Sequence, residues 1–116
     1  MTHSQLLSDA EVDKLDKIHN LTIVFDLDGV ICSEEKTFEH AFATSNEKCI
    51  QIINHLSTKN TIIIHTARSW AEFTLTQAQL TRWKVEYHTL ICGKPIADMV
   101  VDDRSIPSVE LLMEVL

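Results

Sequence analysis

The sequence predicts an α/β fold with a short, mostly parallel sheet. Apolar runs of strand length alternate along the chain with stretches of helical periodicity, and the apolar runs end in polar residues. This alternation is typical of βαβ units, in which helices connect parallel strands. The chain has 116 residues, of which 45% are hydrophobic, so it has room for one domain with a buried core.

The first two elements are a short helix and a strand. The pattern S-D-A-E beginning at Ser8 predicts a capping box, and apolar residues follow it at helical spacing. Residues 1–20 are therefore expected to form an N-terminal leader with a helix, and residues 21–116 the main domain. Residues 21–25 form a continuous apolar run that ends at Asp26, which predicts a parallel strand buried on both faces.

The remaining elements alternate between helices and strands. They are expected as a helix over residues 46–56, a β-branched strand over 61–66, a helix over 69–84, a strand over 87–92, a short strand over 98–101 and a last helix from Pro107. Ser45 or Asn46 is the expected N-cap of the first of these helices, and Ser69 that of the second.

Charge and cysteine content restrict the function. Seventeen acidic against ten basic residues give a net charge of −7, which disfavours a partner with a phosphate backbone. No signal peptide and no apolar stretch of membrane-spanning length is present in the sequence. Three cysteines, Cys32, Cys49 and Cys92, fit neither a disulfide framework nor a metal knuckle. We expect reduced thiols, a cytoplasmic protein, and neither a nucleic-acid nor a membrane partner.

Polar residues gather where the predicted strands end. Asp26 and Asp28 follow the first strand, and Gly29 allows the chain to turn sharply there. The ends of the later strands carry Thr66, Lys94, Asp102 and Asp103. Ligands of open parallel sheets bind beyond the carboxyl ends of the strands. Clustered carboxylates repel one another unless a cation lies among them, and an oxygen-rich site suits Mg²⁺.

Four motifs in this order resemble the haloacid dehalogenase-like superfamily of phosphohydrolases. They are VFDLDGV at 24–30, IHTAR at 64–68, GKP at 93–95 and MVVDDR at 99–104, and the resemblance spans residues 21–105. It implies a three-layer Rossmann-like core. The windows in which this family inserts a cap domain are short here, which leaves a flap over residues 30–44 and no cap. The motif forms look most like small phosphatases of bacterial capsule and surface-sugar biosynthesis.

The resemblance also implies roles for individual residues. Asp26 would be the nucleophile that forms an aspartyl-phosphate, and Asp28 the general acid and base. Thr66 would hold a phosphate oxygen, and Lys94 would balance the charge of Asp26 and the phosphoryl group.

Further roles concern the substrate and the metal. Ala67 and Arg68 are candidate substrate-binding residues, although Arg68 could equally pair with a carboxylate. Mg²⁺ would bind the side chain of Asp26, the main-chain carbonyl of Asp28, and Asp102 or Asp103, of which we favour Asp102.

The resulting functional hypothesis is a magnesium-dependent phosphomonoesterase acting on a small phosphorylated metabolite, a sugar phosphate. One alternative is a phosphatase of nucleic-acid ends, against which the acidic balance argues. Another is a non-enzymatic receiver-like phosphoacceptor module, in which the order of the carboxylates, Thr and Lys differs. An inactive relative has no support, because every catalytic position is filled. The short sheet is expected to rely on homo-oligomerisation or on the terminal helices to cover its edge.

Overall fold

The structure, a computed structural model, describes residues 5–96 and contains three helices and three strands in that range. In chain order they are α1 (Asp9–Asp16), β1 (Thr22–Phe25), α2 (Glu47–Ser57), β2 (Thr61–His65), α3 (Phe73–Arg82) and β3 (Thr89–Ile91). Two 3₁₀ segments, Thr37–Phe42 and Trp70–Glu72, lie between them. The predicted strand over 98–101, the last helix, and Asp102 and Asp103 lie outside the described residues.

The three strands form one parallel sheet in the order β1-β2-β3. Ile23 pairs with Ile62 between β1 and β2, and Ile64 pairs with Leu90 between β2 and β3. Each pair of adjacent strands is connected through a helix. Connections between parallel strands are right-handed as a rule. Because both connections move to the next strand in the same direction across the sheet, both helices lie on the same face. The predicted α/β class with a parallel sheet is confirmed, and all three strands end at the same edge.

The core lies between that face of the sheet and the helices. Its buried members come from β2, β3, α2 and α3 and include Ile62, Ile64, Leu90, Ile50, Ile53, Leu56 and Leu80. The prediction that the first strand is buried on both faces is wrong. β1 alternates between exposed and half-buried residues, and Val24 is 57% exposed, because within residues 5–96 helices cover one face of the sheet.

The N-terminal helix packs on the rest of the fold. Both bonds of the predicted capping box form: Glu11 N donates to Ser8 Oγ, and Ser8 N donates to Glu11 Oε1, each at 3.1 Å. α1 contacts α2 through an ion pair of 3.1 Å between Lys48 Nζ and Glu11 Oε2. His55 Nε2 also lies 2.6 Å from Asp16 Oδ1. The predicted leader is thus tied to the first crossover helix.

Two helix starts differ in how far they match the prediction. Asn46 is the N-cap of α2, since its side chain accepts from Cys49 N at 3.1 Å. The predicted helix over 69–84 instead begins as the 3₁₀ turn Trp70–Glu72. Ser69 makes no side-chain capping bond, and its main-chain carbonyl closes the turn by accepting from Glu72 N at 2.9 Å. Within residues 5–96, no helix is long and apolar enough to cross a membrane.

Candidate active site

The carboxyl edge of the sheet borders a cavity of about 440 Å³. Five residues predicted from the sequence line it: Asp26, Asp28, Ala67, Arg68 and Lys94. They come from three different loops, each of which directly follows a strand. The parallel direction of the strands therefore brings together residues that lie up to 68 positions apart in the sequence.

A tight turn after β1 presents the two aspartates. The carbonyl of Leu27 accepts from the N–H groups of Ile31 at 2.9 Å and Cys32 at 3.2 Å, and the Leu27 side chain is fully buried. Gly29 has a φ of +85°, a conformation that strains residues with a Cβ. With Leu27 directed into the core, the residues on either side of it, Asp26 and Asp28, line the cavity.

The loop after β3 is joined to the loop after β2 and so places Lys94. Gly93 N donates to Arg68 O at 2.7 Å, and Lys94 N donates to Thr66 O at 2.9 Å. Gly93 has a φ of +79°, and a Cβ there would lie 3.0 Å from Trp70 Nε1. Both the backbone conformation and the close indole ring therefore require glycine immediately before the lysine.

The two aspartates have different surroundings. The Asp26 side chain is 43% exposed, and its Oδ1 lies 3.3 Å from Lys94 Nζ. The same oxygen accepts from Leu27 N at 2.8 Å, which fixes the carboxylate at the end of the strand. The Asp28 side chain is only 17% exposed and pairs with the fully buried side chain of Arg68. Asp26 is thus the more accessible carboxylate.

Arg68 binds both oxygens of Asp28 through the Nε and Nη2 atoms of its guanidinium group. Arg68 Nη2 lies 2.9 Å from Asp28 Oδ1, and Arg68 Nε lies 3.1 Å from Oδ2. On its other side, Nη1 donates to Thr76 Oγ1 at 3.1 Å and to Gln79 Oε1 at 2.6 Å. Of the two roles that the sequence left open for Arg68, the structure shows the pairing with a carboxylate.

Thr66 is not brought to the cavity wall. Its side chain is fully buried, and its Oγ1 accepts from Arg68 N at 3.1 Å. The hydroxyl thereby shapes the turn that leads from β2 to Arg68. Thr66 is not among the residues that line the cavity, so a contact between its hydroxyl and a phosphate oxygen stays a prediction.

Next to the site, the thiol of Cys32 is buried. Burial, followed by the negative charge of Asp28, raises the pKa of the Cys32 thiol to about 12, so the thiol is neutral at physiological pH. Burial also raises the pKa values of Cys49 and Cys92. All three cysteines are free, as predicted.

The sequence predicted a flap over residues 30–44 but not which set of its residues lines the cavity, and it gave no part to the polar residues of α3. From the flap, Glu34, Glu35, Thr37 and His40 line the cavity. His40 Nδ1 lies 2.8 Å from Glu72 Oε2. On α3, the polar residues Thr76 and Gln79 are buried three positions apart. Polar residues at core positions of an amphipathic helix indicate that they bind a buried polar partner, and this pattern is visible in the sequence.

The described residues offer only part of the predicted metal site. Within residues 5–96, no group of three or more His, Cys, Asp or Glu side chains is arranged to hold a metal ion. The Asp28 side chain faces Arg68, whereas its main-chain carbonyl accepts no bond from an N–H of residues 5–96. That carbonyl and the exposed carboxylate of Asp26 are hard oxygen donors of the kind that Mg²⁺ takes. The other predicted ligands, Asp102 and Asp103, lie outside the described residues.

Comparison with known proteins supports the fold. No family model matches the chain, and no curated protein matches its sequence. A crystal structure of an MCSG target from Vibrio cholerae is similar, with a TM-score of 0.57 and 19% identity over 78% of this chain and 85% of that chain. At this identity the likeness concerns the fold alone. The chain is a small Rossmann-like α/β protein with a charged cavity at the carboxyl edge of its sheet.

Proposed function

We propose that the protein is a magnesium-dependent phosphomonoesterase of the haloacid dehalogenase-like type, which acts through an aspartyl-phosphate on Asp26. The observation that carries the proposal is the pair of carboxylates at the end of β1. Asp26 is exposed to the cavity with Lys94 Nζ at 3.3 Å, and Asp28 lies two residues further on. One accessible carboxylate and one restrained carboxylate match the two roles that the reaction needs.

The reaction consists of two displacements at phosphorus. In the first, a carboxylate oxygen of Asp26 forms a bond to phosphorus while the ester P–O bond breaks, and the leaving oxygen takes a proton from Asp28. In the second, a water oxygen bonds to phosphorus, its proton passes to Asp28, and the bond to Asp26 breaks. The products are an alcohol and inorganic phosphate, and both aspartates return to their starting states.

Lys94 would stabilise charge in this reaction. Its Nζ lies 3.3 Å from Asp26 Oδ1, so a phosphoryl group transferred to Asp26 would have this ammonium group beside it as negative charge accumulates. Mg²⁺ would be held by the Asp26 carboxylate and the Asp28 carbonyl, together with Asp102 or Asp103. When bound, it would neutralise charge on the phosphate oxygens. The cavity lining includes four carboxylates against two cationic side chains, which favours a divalent cation.

A small phosphorylated metabolite, such as a sugar phosphate, fits the cavity best. The volume of about 440 Å³ lies within the range of small-molecule sites. From the flap, Glu34, Glu35 and Thr37 also line the cavity, and their oxygen atoms can accept hydrogen bonds from sugar hydroxyls. The net charge of −7 argues against a nucleic-acid substrate. A cytoplasmic location and a homo-oligomer that covers the open site belong to the same proposal.

The decisive test replaces the nucleophile. We expect Asp26→Asn to lower the hydrolysis of p-nitrophenyl phosphate in the presence of Mg²⁺ by at least about 10³-fold. Asp13→Asn is the matched control, since Asp13 is exposed on α1 and the chemical change is the same. Its activity should equal that of the wild type. Full activity of Asp26→Asn would refute the proposal.

Two further measurements separate this function from its alternatives. Removal of divalent cations with a chelator should abolish hydrolysis, and Mg²⁺ should restore it. Mass spectrometry of the rapidly quenched wild type should show one phosphoryl group on the Asp26 peptide during turnover. A phosphoryl group that persists for minutes after the substrate is consumed would indicate a phosphoacceptor module and not a phosphatase.

A further inference from the structure

We infer that Arg68 is a positioning residue that fixes the carboxylate of Asp28 for proton transfer, and that it does not bind the substrate phosphate. The inference deepens the proposed function and rests on it. It is carried by the hydrogen bonds of the guanidinium group, by its burial, and by the way in which it contacts the two oxygens of Asp28.

The first observation is that protein atoms occupy all five N–H donors of Arg68. Nε–H is shared between the two oxygens of Asp28, and one Nη2–H donates to Oδ1. The second Nη2–H faces Cys32 Sγ at 3.9 Å. The two Nη1–H groups donate to Thr76 and Gln79. Since a guanidinium group has five donors, none is left for a phosphate oxygen.

The second observation is that these partners are themselves held in place. The Arg68 side chain is fully buried, and Thr76 and Gln79 are buried on α3. Gln79 Nε2 donates to the main-chain carbonyl of His40 at 2.7 Å, and the His40 ring is bonded to Glu72 at 2.8 Å. Asp28 is thus connected through Arg68 and Gln79 to the flap, which also lines the cavity.

The third observation is that the two oxygens of Asp28 have unequal partners. Oδ1 accepts from Arg68 Nη2 and is also within reach of Arg68 Nε and Cys32 Sγ, whereas among residues 5–96 Oδ2 has Arg68 Nε as its one hydrogen-bond partner. Arg68 thus fixes the orientation of the Asp28 carboxylate and leaves Oδ2 with fewer protein partners than Oδ1.

The test separates positioning from substrate binding by kinetics. Arg68→Lys keeps a positive charge but lacks the planar guanidinium fork that matches the two oxygens of a carboxylate. We expect kcat for p-nitrophenyl phosphate to fall about 10- to 100-fold, as when a supporting contact of a catalytic group is lost. KM and the inhibition constant of inorganic phosphate should stay within about 3-fold of the wild type, because substrate binding does not involve Arg68. Arg82→Lys, at an exposed arginine of α3, is the matched control.

A double-mutant cycle gives a second readout. If Arg68 acts through Asp28, adding Arg68→Lys to Asp28→Asn should lower the residual kcat no further. Equal and additive losses in the two backgrounds would overturn the inference. A rise in KM and in the phosphate inhibition constant with kcat unchanged would also overturn it and would make Arg68 a substrate ligand.

If Arg68→Lys does not fold, because the partners of Arg68 are buried, the variant Gln79→Met takes its place. This substitution removes a hydrogen-bond acceptor of Arg68 Nη1 and so frees the guanidinium group on the side away from Asp28. Gln79→Met should lower kcat about 3- to 10-fold with phosphate inhibition unchanged, and an unchanged kcat would overturn the inference. An inactive wild type would overturn the proposed function as well, whereas an active wild type with a pure KM effect of Arg68→Lys overturns the inference alone.

Discussion

The two edges of the sheet both border a cavity, but they use their polar residues differently. At the amino edge, a cavity of about 550 Å³ is lined by residues 20–22, 57–61 and His88. Its polar side chains serve the backbone: Asn60 accepts from Leu21 N at 3.0 Å and donates to Ile18 O and Leu56 O, each at 2.9 Å. At the carboxyl edge, charged side chains contact one another across three loops.

The comparison shows that charge, more than volume, distinguishes the candidate site. The larger cavity has side chains whose hydrogen bonds hold strands and turns together, as when His88 Nδ1 accepts from Ile62 N at 2.9 Å. The smaller one holds Asp26, which is accessible and has a cation beside it. Loops that leave the carboxyl ends of parallel strands are free to diverge and to carry chemistry, so the two edges should respond differently to substitution.

The largest difference between the two edges is expected from their lysines. Lys94→Met should lower kcat/KM for p-nitrophenyl phosphate about 10²-fold, because the ammonium group beside Asp26 is lost. Lys59→Met makes the same change in the lining of the amino-edge cavity and should leave kcat/KM unchanged. Equal losses for the two variants would remove the distinction between the edges.

A stability effect without an activity effect is expected at Asn60. Asn60→Ala removes three hydrogen bonds of a buried side chain and should lower the free energy of unfolding by about 2 kcal/mol. Urea denaturation measures this loss, and kcat of the folded variant should equal that of the wild type. A fall in kcat with stability unchanged would assign a catalytic part to the amino edge.

The two glycines of the carboxyl edge should differ in a graded way. Both have positive φ values, so alanine at either position costs about 1 kcal/mol in backbone strain. Gly93→Ala should cost more, because its Cβ would lie 3.0 Å from Trp70 Nε1, whereas a Cβ on Gly29 would meet Glu34 Oε2 at 3.6 Å. Thermal unfolding of the two variants checks the order, which an equal or larger loss for Gly29→Ala would contradict.

The smallest effect on stability is expected at the start of α1. The capping box there joins Ser8 to Glu11 and touches neither edge of the sheet. Ser8→Ala removes the hydroxyl that accepts from Glu11 N and should lower the free energy of unfolding by about 0.5 to 1 kcal/mol. Activity should be unchanged. A measurable fall in kcat for Ser8→Ala would mean that a loss of stability is enough to lower activity. The losses of activity expected at the carboxyl edge would then not be specific to that edge.

Elements governed by local patterns were predictable. The capping box at Ser8, an N-cap at Ser45 or Asn46, and the succession of strands and helices along the chain follow from residues that are neighbours in the chain. The burial of β1 was predicted wrongly, because the exposure of Val24 depends on which elements cover the sheet. The helical periodicity over 69–84 likewise did not reveal the 3₁₀ turn Trp70–Glu72, which main-chain hydrogen bonds close.

By itself, the sequence determined that Asp26 and Asp28 follow a strand and that Lys94 follows another, because apolar runs and a glycine fix these positions locally. Only the tertiary structure decided the part played by Arg68. Its five donors find partners in the loop after β1 and on α3, up to 40 positions away. Packing between distant elements decides which polar groups form hydrogen bonds with a buried charge. A local sequence pattern does not contain that information.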